Sequence, residues 1–333
     1  MPDWLWDVLG VEPLTEGQRA SVRGRSFVLD GGVLRDETLA TSESDVEAFG
    51  FKWRRRDTFD SPASLARARA WLIERYGNIA NAGWWSEYGD APLLLDAGCG
   101  AAMSAIELLQ DRLRAIRYLG VDASTSVDVA RVRFAERGLT GAFLQADFTR
   151  LPLGPNSVDV ILAEGVLHHT PSTSEALFRV AEHLRPGGRL LLYVYRRKGP
   201  IREFSDDYIR ARLQAMTPEE AWAALVPLTK LGQALGRLHL TVDVPEPIDL
   251  LEIPAGPIDV QRLFYWHVFK AFFHDDLGLE ELNHVNYDWY APRDAHRQTP
   301  AELRDWCAEA GLTVDRERIE DAGISMIARK GDR

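Results

Sequence analysis

The sequence predicts an α/β fold built on a doubly wound, mostly parallel sheet of seven strands. Apolar runs alternate along the chain with helix-compatible segments, and such alternation implies right-handed crossovers between parallel strands. The predicted strands are 93–96, 118–121, 142–145, 158–163, 189–195, 312–319 and 324–328. The core helices are predicted at 102–115, 125–137, 173–184 and 299–311. Residues 196–298 interrupt this pattern after the fifth strand and are expected to form a mainly helical insertion.

The composition argues against several classes of function. With 333 residues and 46% hydrophobic side chains, the chain is long enough for a large globular domain with an appended part. Its net charge of −11 repels phosphate backbones, so we expect no nucleic-acid substrate. Two cysteines are too few for a disulfide framework or a cysteine-based zinc site, and no apolar run is long enough to span a membrane. Without a signal-peptide pattern, we expect a cytoplasmic protein with no membrane partner; its oligomeric state is left open.

Residues 1–60 are expected to form an N-terminal arm. Residues 4–9 have the pattern of a short amphipathic helix, and Ser26–Leu34 reads as a hairpin with an Asp-Gly-Gly turn. Ser61 and Pro62 then predict the start of a helix that extends to about residue 76, because serine caps helices and proline suits their first position.

The first core strand ends in Asp96 and is followed by Gly98 and Gly100, one residue apart. Glycines let a backbone pass close to a ligand, and the N–H groups at a helix start favour polar or anionic groups. The same residues are also compatible with an ordinary strand-to-helix turn.

The next two strands also end in acids, and this favours a binding site over a purely structural turn. Asp122 follows Gly98 by about 24 residues, where a carboxylate can accept hydrogen bonds from both hydroxyls of a ribose. Asp147 and Phe148 follow the third strand and suit an adenine, with the carboxylate on the amino group and the ring on the base. The three strand tips therefore predict a site for a nucleotide-like ligand.

These segments resemble the motifs of class I S-adenosylmethionine-dependent methyltransferases. The resemblance lies in Leu93–Ala102, Gly120–Ser124, Gln145–Pro152, Ser157–His169 and Leu184–Leu190, and it resumes near 299–329. It implies a Rossmann-like core, S-adenosylmethionine as cofactor, and a site that comprises Asp96, Gly98, Gly100, Asp122, Ala123, Asp147, Phe148 and Glu164. The chain departs from the family at Ala102, where many members carry a third glycine; the following helix is expected to lie slightly farther from the methionine moiety.

The basic and aromatic segment Phe49–Arg56 allows two interpretations. It is either a surface turn or an entrance segment that closes over the cofactor. In the second case, Trp53 stacks on the cofactor, and Lys52 or an arginine meets a carboxylate.

The insertion contains an aromatic segment, about 259–273, that is predicted to be a helix. It is either a buried structural helix or a lid over the substrate. His267 and His274 lie two turns apart, roughly 10 Å along the axis, so we expect no shared metal. The stretch from His284 to His296 is expected to be irregular. We predict Arg202, Tyr265, His267 and Tyr290 as residues that line a substrate pocket.

His168 and His169 follow the fourth strand, at the edge that faces the transferred methyl group in this architecture. A neutral imidazole can take a proton from an attacking hydroxyl or amine, so both are candidate catalytic bases. Either could instead be packed or cap a helix. Since methyl transfer is a direct displacement, alignment alone could supply much of its acceleration, without a base.

The first hypothesis is therefore an S-adenosylmethionine-dependent methyltransferase that acts on a small molecule through an undetermined O, N, S or C atom. A non-catalytic S-adenosylmethionine-binding protein and, less favoured, a nicotinamide dehydrogenase are the alternatives. We predict an arm at 1–60, a cofactor-binding core at 61–195, a substrate cap at 196–298 and the end of the core at 299–333.

Overall fold

A computed structural model describes residues 1–39 and 44–331 of the protein. Its centre is a ten-stranded sheet, and a separate two-stranded hairpin lies in the insertion. The strands are β1 (Arg19–Val22), β2 (Arg25–Asp30), β3 (Val33–Asp36), β4 (Leu93–Ala97), β5 (Arg117–Asp122), β6 (Ala142–Gln145), β7 (Val158–Glu164), β8 (Leu184–Tyr195), β9 (Thr241–Val244), β10 (Gly256–Asp259), β11 (Leu312–Ile319) and β12 (Gly323–Lys330).

The strand order of the large sheet is β1-β2-β3-β6-β5-β4-β7-β8-β12-β11. Strands β4 to β8 are parallel, whereas β12 is antiparallel to both β8 and β11. The seven predicted core strands are thus present, and the reversed β12 argues against a dehydrogenase. The predicted hairpin forms as β2 and β3, and it extends the sheet because β3 pairs in parallel with β6.

Helices cover both faces of the sheet. They are α1 (Asp3–Leu9), α2 (Ser44–Arg54), α3 (Pro62–Tyr76), α4 (Met103–Leu109), α5 (Ser126–Glu136), α6 (Thr173–His183), α7 (Pro200–Leu213), α8 (Pro218–Gly236), α9 (Val260–His267), α10 (Leu279–Tyr290) and α11 (Pro300–Glu309). Successive side chains of β4 enter two different apolar cores, one on each face of the sheet. Leu93 and Leu95 pack with α1, α6 and α11, whereas Leu94 packs with α3, α4 and α5. The doubly wound architecture follows from this alternation.

The insertion differs from its predicted structure in two places. The aromatic helix ends at His267, where Val268 N–H and Phe269 N–H both donate to the Phe264 carbonyl (2.9 and 3.0 Å). Two later donors bind α10: Lys270 N–H donates to Tyr290 Oη (2.8 Å) and Phe272 N–H to Asn286 Oδ1 (2.8 Å). The stretch from His284 to His296 was expected to be irregular, but helix α10 extends through it as far as Tyr290. The start of α10 is capped by a hydrogen bond from Gly278 N–H to the Glu281 carboxylate.

The insertion packs against the carboxyl end of β8 and against α2. One apolar cluster joins these parts, and its members are Ala48, Tyr193, Tyr195, Leu213, Ala221, Trp222, Leu225, Tyr287, Trp289 and Tyr290. The insertion therefore lies beside the strand ends at which ligands bind in α/β sheets.

Candidate functional site

The turn after β4 has a left-handed backbone at three alternate positions. Gly98 (φ +68°), Gly100 (φ +52°) and Ala102 (φ +54°) all lie in the region that favours glycine. A Cβ on Gly98 would lie 2.1 Å from Val166, and one on Gly100 would lie 2.7 Å from Trp53, so both positions exclude a side chain. Alanine at position 102 accepts a backbone strain of about 1–2 kcal/mol that a glycine would avoid.

Asp122 connects the tip of β5 to this turn. Its Oδ2 accepts the Gly100 N–H (2.9 Å), and its Oδ1 accepts the N–H (2.8 Å) and the hydroxyl (2.7 Å) of Ser124. The carboxylate is half-buried, and its oxygens offer about four acceptor sites in total. Capacity therefore remains for a hydroxyl group of a ligand. Ala123, beside it, is also half-buried, and its carbonyl accepts Gln145 Nε2 (3.2 Å).

The other two acidic strand tips have more structural roles. Asp96 is buried and accepts the Tyr118 hydroxyl at 2.6 Å, and burial raises the pKa of Asp96 to about 7. Asp147 caps a short 3₁₀ turn by accepting Thr149 N–H (2.8 Å), while its second oxygen accepts Arg150 Nε (2.9 Å). Phe148 is buried within that turn. Of the three carboxylates, only that of Asp122 accepts a hydrogen bond from the glycine turn in the described structure.

Glu164, at the end of β7, is held by helix α3. Arg75 Nη1 and the Tyr76 hydroxyl both donate to its carboxylate. The Arg75 guanidinium also lies 3.7 Å from the centroid of the Tyr193 ring. Burial, together with the neighbouring Glu164, raises the pKa of Tyr76 far above its usual range, so Tyr76 is a neutral donor. Sequence reasoning missed Arg75, Tyr76 and Tyr193, because nothing local marks them as partners of Glu164.

The segment Phe49–Arg56 is mostly helix and not a surface turn. Trp53 packs on Gly100, and its ring meets the edge of Phe59 at a centroid distance of 5.0 Å. Lys52 is only 4% exposed; its ammonium lies 3.9 Å from the Trp53 ring centroid and pairs with Asp288 of α10. The carboxylate that Lys52 meets in this structure thus belongs to the insertion.

Asp288 of the insertion forms an ion pair with Lys52 of α2 and lies near a second cation, Lys270. Besides Lys52, it accepts the Tyr195 hydroxyl at 3.4 Å. Burial alone would raise the pKa of Asp288, but Lys52 and Lys270 outweigh that effect and hold the pKa below its usual value. Asp288 is therefore ionised at neutral pH. Sequence reasoning noted it within a polar and aromatic stretch but could not assign it a partner.

The two candidate histidines occupy a 3₁₀ turn directly after β7. His168 is fully buried against Tyr195, with ring centroids 3.8 Å apart, and neither of its ring nitrogens has a hydrogen-bond partner within the described structure. His169 Nδ1 lies 2.6 Å from the Asp294 carbonyl oxygen. Because a carbonyl only accepts, Nδ1 carries the proton and Nε2 keeps its lone pair. Burial lowers the pKa of His169 to about 4, so the ring is neutral at pH 7.

Three of the four predicted substrate residues are buried inside the insertion. Arg202 is 1% exposed; its Nε donates to the Asp206 carboxylate (2.9 Å), and its guanidinium donates to the Tyr265 carbonyl. Tyr290 is fully buried, and its hydroxyl accepts the Lys270 N–H. These contacts stabilise the interior of the insertion. Tyr265 is also buried, and its ring centroid lies 5.4 Å from the Arg202 guanidinium. His267 is half-buried.

Neither a metal site nor a membrane span is found in the described residues. No three His, Cys, Asp or Glu side chains among residues 1–39 and 44–331 are placed to hold a metal ion. Within the same ranges, no helix combines the length and apolar character needed to cross a bilayer.

Part of the chain is similar in sequence to known methyltransferases. Residues 95–192 match the family described as "Methyltransferase domain". Trans-aconitate 2-methyltransferase of Azoarcus sp. is 35% identical over 32% of this chain and 40% of its own, and Methyltransferase GfsG of Streptomyces halstedii is 33% identical over 30% and 36%. The chain thus spans under half the length of these curated relatives.

Among solved structures, 1,6-didemethyltoxoflavin-N1-methyltransferase of Burkholderia thailandensis is 16% identical, with a TM-score of 0.42 over 95% of this chain and 100% of its own. The strand order, the glycine turn and the matched segment define a methyltransferase domain. Residues 95–192 thus carry a methyltransferase domain, and its similarity to the class I S-adenosylmethionine-dependent methyltransferase family agrees with the motifs of the sequence. S-adenosylmethionine is the cofactor of that family.

Proposed function

We propose that the protein transfers a methyl group from S-adenosylmethionine to a small-molecule acceptor. The observation that carries this proposal is a juxtaposition: helix α2 places Trp53 on the glycine turn and Lys52 on Asp288 of the insertion. One helix thereby joins the cofactor edge of the sheet to a largely buried, polar and aromatic cluster. We call this cluster, made up of His168, His169, Tyr195, Asp288 and Trp289, the acceptor cluster.

The residues at the glycine turn fit the cofactor. Gly98 and Gly100 let neighbouring groups approach the backbone closely, and the Asp122 carboxylate has acceptor capacity left for one ribose hydroxyl. S-adenosylmethionine supplies a methyl group on a sulfonium, which a nucleophile can displace directly. Asp147 and Phe148 remain our proposal for the adenine end, and Trp53 for the wall above the turn.

His169 and His168 are the proposed groups for proton transfer from the acceptor. Since the Asp294 carbonyl fixes the tautomer of His169, its Nε2 is available as a proton acceptor. With a pKa of about 4, this imidazole is a weak base and suits an acceptor whose proton is itself acidic. His168 has two buried nitrogens without partners, and such atoms are costly unless a ligand completes their hydrogen bonds.

A small acceptor is favoured over a macromolecule because the acceptor cluster is enclosed. Trp289 of α10 and Tyr195 of β8 are 3% and 6% exposed, and their ring centroids are 4.2 Å apart. A polymer could not reach these rings without displacing the insertion. We accordingly propose residues 196–298 as the segment that selects the acceptor. The cytoplasmic location stays a prediction.

The cofactor is tested by titration calorimetry with S-adenosylmethionine and S-adenosylhomocysteine. We expect Asp122→Ala to weaken both by about tenfold or more, because a hydrogen bond to a charged group contributes roughly 1.5–3 kcal/mol. The matched control is Asp111→Ala, since Asp111 is fully exposed and makes only a 3.8 Å contact with Arg114. Equal affinities in wild type and Asp122→Ala would remove Asp122 from the site, and no binding by wild type would refute the proposal.

Catalysis is tested by incubating the purified protein with methyl-labelled S-adenosylmethionine and a metabolite extract. Mass spectrometry then identifies labelled products of low molecular mass. Binding of the cofactor without any labelled product would favour the non-catalytic alternative.

A further inference from the structure

Four cationic side chains surround the indole of Trp289 in the insertion. The charged groups lie 4.8 Å (Lys270), 5.2 Å (Arg202), 5.4 Å (Arg210) and 5.7 Å (Lys198) from its ring centroid. Cations attract an aromatic face, but they repel one another, so such a group needs anions nearby.

Three of these cations have partners within the protein. Arg202 pairs with the buried Asp206, and Arg210 lies 3.3 Å from Asp207 while donating to the Trp289 carbonyl (2.9 Å). Lys198 donates to backbone carbonyl groups, including that of Ala322 at 2.9 Å. Arg202, Arg210 and Lys198 thus each have at least one carboxylate or carbonyl group of the protein as a partner.

Lys270 is the exception. Its side chain is 6% exposed, yet within residues 1–39 and 44–331 its ammonium meets neither a carboxylate within 4.0 Å nor any hydrogen-bond acceptor. The carboxylate that influences it most is Asp288, but Asp288 is already paired with Lys52. A largely buried ammonium without a carboxylate partner is costly, because it loses most of its hydration.

The electrostatics of Lys270 agree with a missing partner. Burial is the main effect and, with the nearby Arg202, it lowers the pKa of Lys270 to about 7, despite the opposing attraction of Asp288. An anion placed beside the ammonium would stabilise its charged form.

Lys270 also lies close to the proposed reaction centre. The Trp289 ring beneath it packs on Tyr195, and the Tyr195 ring packs on His168 with centroids 3.8 Å apart. Two aromatic rings therefore separate the unpaired ammonium from the turn that follows β7. The aromatic side chains around the ammonium favour an aromatic or unsaturated ligand over a saturated one.

From this arrangement we propose that Lys270 binds a carboxylate of the acceptor, and that the acceptor is a small aromatic or unsaturated carboxylic acid. The inference rests on the proposed methyltransferase function and specifies its substrate class. Lys270 is thus a specificity-determining residue, and the carboxylate it binds anchors the acceptor beside the histidine turn. The other source of a carboxylate is the amino-acid part of S-adenosylmethionine, and the experiment separates the two.

The test uses the full chain saturated with S-adenosylhomocysteine. Calorimetry compares three pairs of probes: benzoate and benzamide, 4-hydroxybenzoate and 4-hydroxybenzamide, and indole-3-acetate and indole-3-acetamide. We expect at least one carboxylate to bind about tenfold tighter than its amide, because a charge-assisted hydrogen bond replaces a neutral one. In Lys270→Met this preference should fall below twofold, and in Lys270→Arg part of it should persist.

The control is Lys230→Met, which removes an exposed lysine of α8 in the same insertion and should leave the preference unchanged. The affinity for S-adenosylhomocysteine should be equal in all variants, which also verifies that each variant is folded. If that affinity falls tenfold in Lys270→Met alone, Lys270 binds the cofactor and the inference is wrong. It is equally wrong if no carboxylate is preferred while S-adenosylhomocysteine still binds. Failure of wild type to bind S-adenosylhomocysteine would instead contradict the proposed function.

Discussion

Replacing Lys52 by methionine should destabilise the protein by about 2–3 kcal/mol. Removing one partner of a buried ion pair typically costs about 3–5 kcal/mol, because the other charge stays buried and uncompensated. Here the Asp288 side chain is 33% exposed and Lys270 is nearby, so solvent and the second ammonium reduce this cost. The lost contact between Lys52 and the Trp53 ring adds roughly 0.5–1 kcal/mol. Methionine preserves most of the apolar volume, so the change reports mainly on charge.

Urea unfolding followed by tryptophan fluorescence measures this difference. The exposed Lys230→Met is the matched control and should change the free energy of unfolding by less than about 0.5 kcal/mol. The double variant with Asp288→Asn should be less destabilised than the sum of the two single variants, because both charges of the pair are then absent. A loss below 0.5 kcal/mol for Lys52→Met, or strict additivity in the double variant, would refute the proposed role of the ion pair.

Two further predictions concern the two ends of the site. Gly100→Ala should weaken S-adenosylhomocysteine binding and lower the free energy of unfolding by more than Gly138→Ala does. Both changes place alanine at positive φ, which costs about 1–2 kcal/mol in backbone strain. The added Cβ meets the Trp53 side chain at position 100 but has no neighbour within 4 Å at position 138. Calorimetry and urea unfolding compare them, and equal effects would contradict the contact. His169→Ala should reduce turnover of the identified acceptor more than it reduces cofactor binding. The control is His183→Ala, which removes another histidine that is hydrogen-bonded to a backbone carbonyl (3.1 Å) and should leave turnover unchanged. Unchanged turnover in His169→Ala would exclude His169 as the base.

The sheet could be predicted from the sequence because its signals are local. Each core strand is a short apolar run, and the turn after β4 needs glycine wherever a Cβ would clash with Val166 or Trp53. The hairpin of β2 and β3 was likewise marked by its own turn residues. What these signals could not show is that β3 adds to the edge of β6, since that pairing joins residues more than a hundred positions apart.

The insertion was harder to predict because its structure depends on distant partners. Helix α10 is rich in aromatic and amide side chains, which are weak helix formers, and tertiary packing with α8 outweighs that preference. For Arg202, in contrast, the sequence does contain a local signal. Asp206 follows it by four residues, the spacing of an ion pair within one helix, and this spacing favours a structural role over the predicted role in a substrate pocket. Lys270 gave no local signal at all.

Helix α2 explains why the arm, the core and the insertion depend on one another. On one side, Arg54 donates to the Thr125 hydroxyl (2.9 Å) in the loop after β5, and Trp53 packs on the glycine turn. On the other side, Lys52 pairs with Asp288, and Ala48 joins the apolar cluster of the insertion. Since a buried ion pair costs free energy when one partner is absent, neither segment can keep this charge balance without the other. The cofactor that we propose for the glycine turn would therefore lie beside the same helix that fixes the charges around the acceptor cluster.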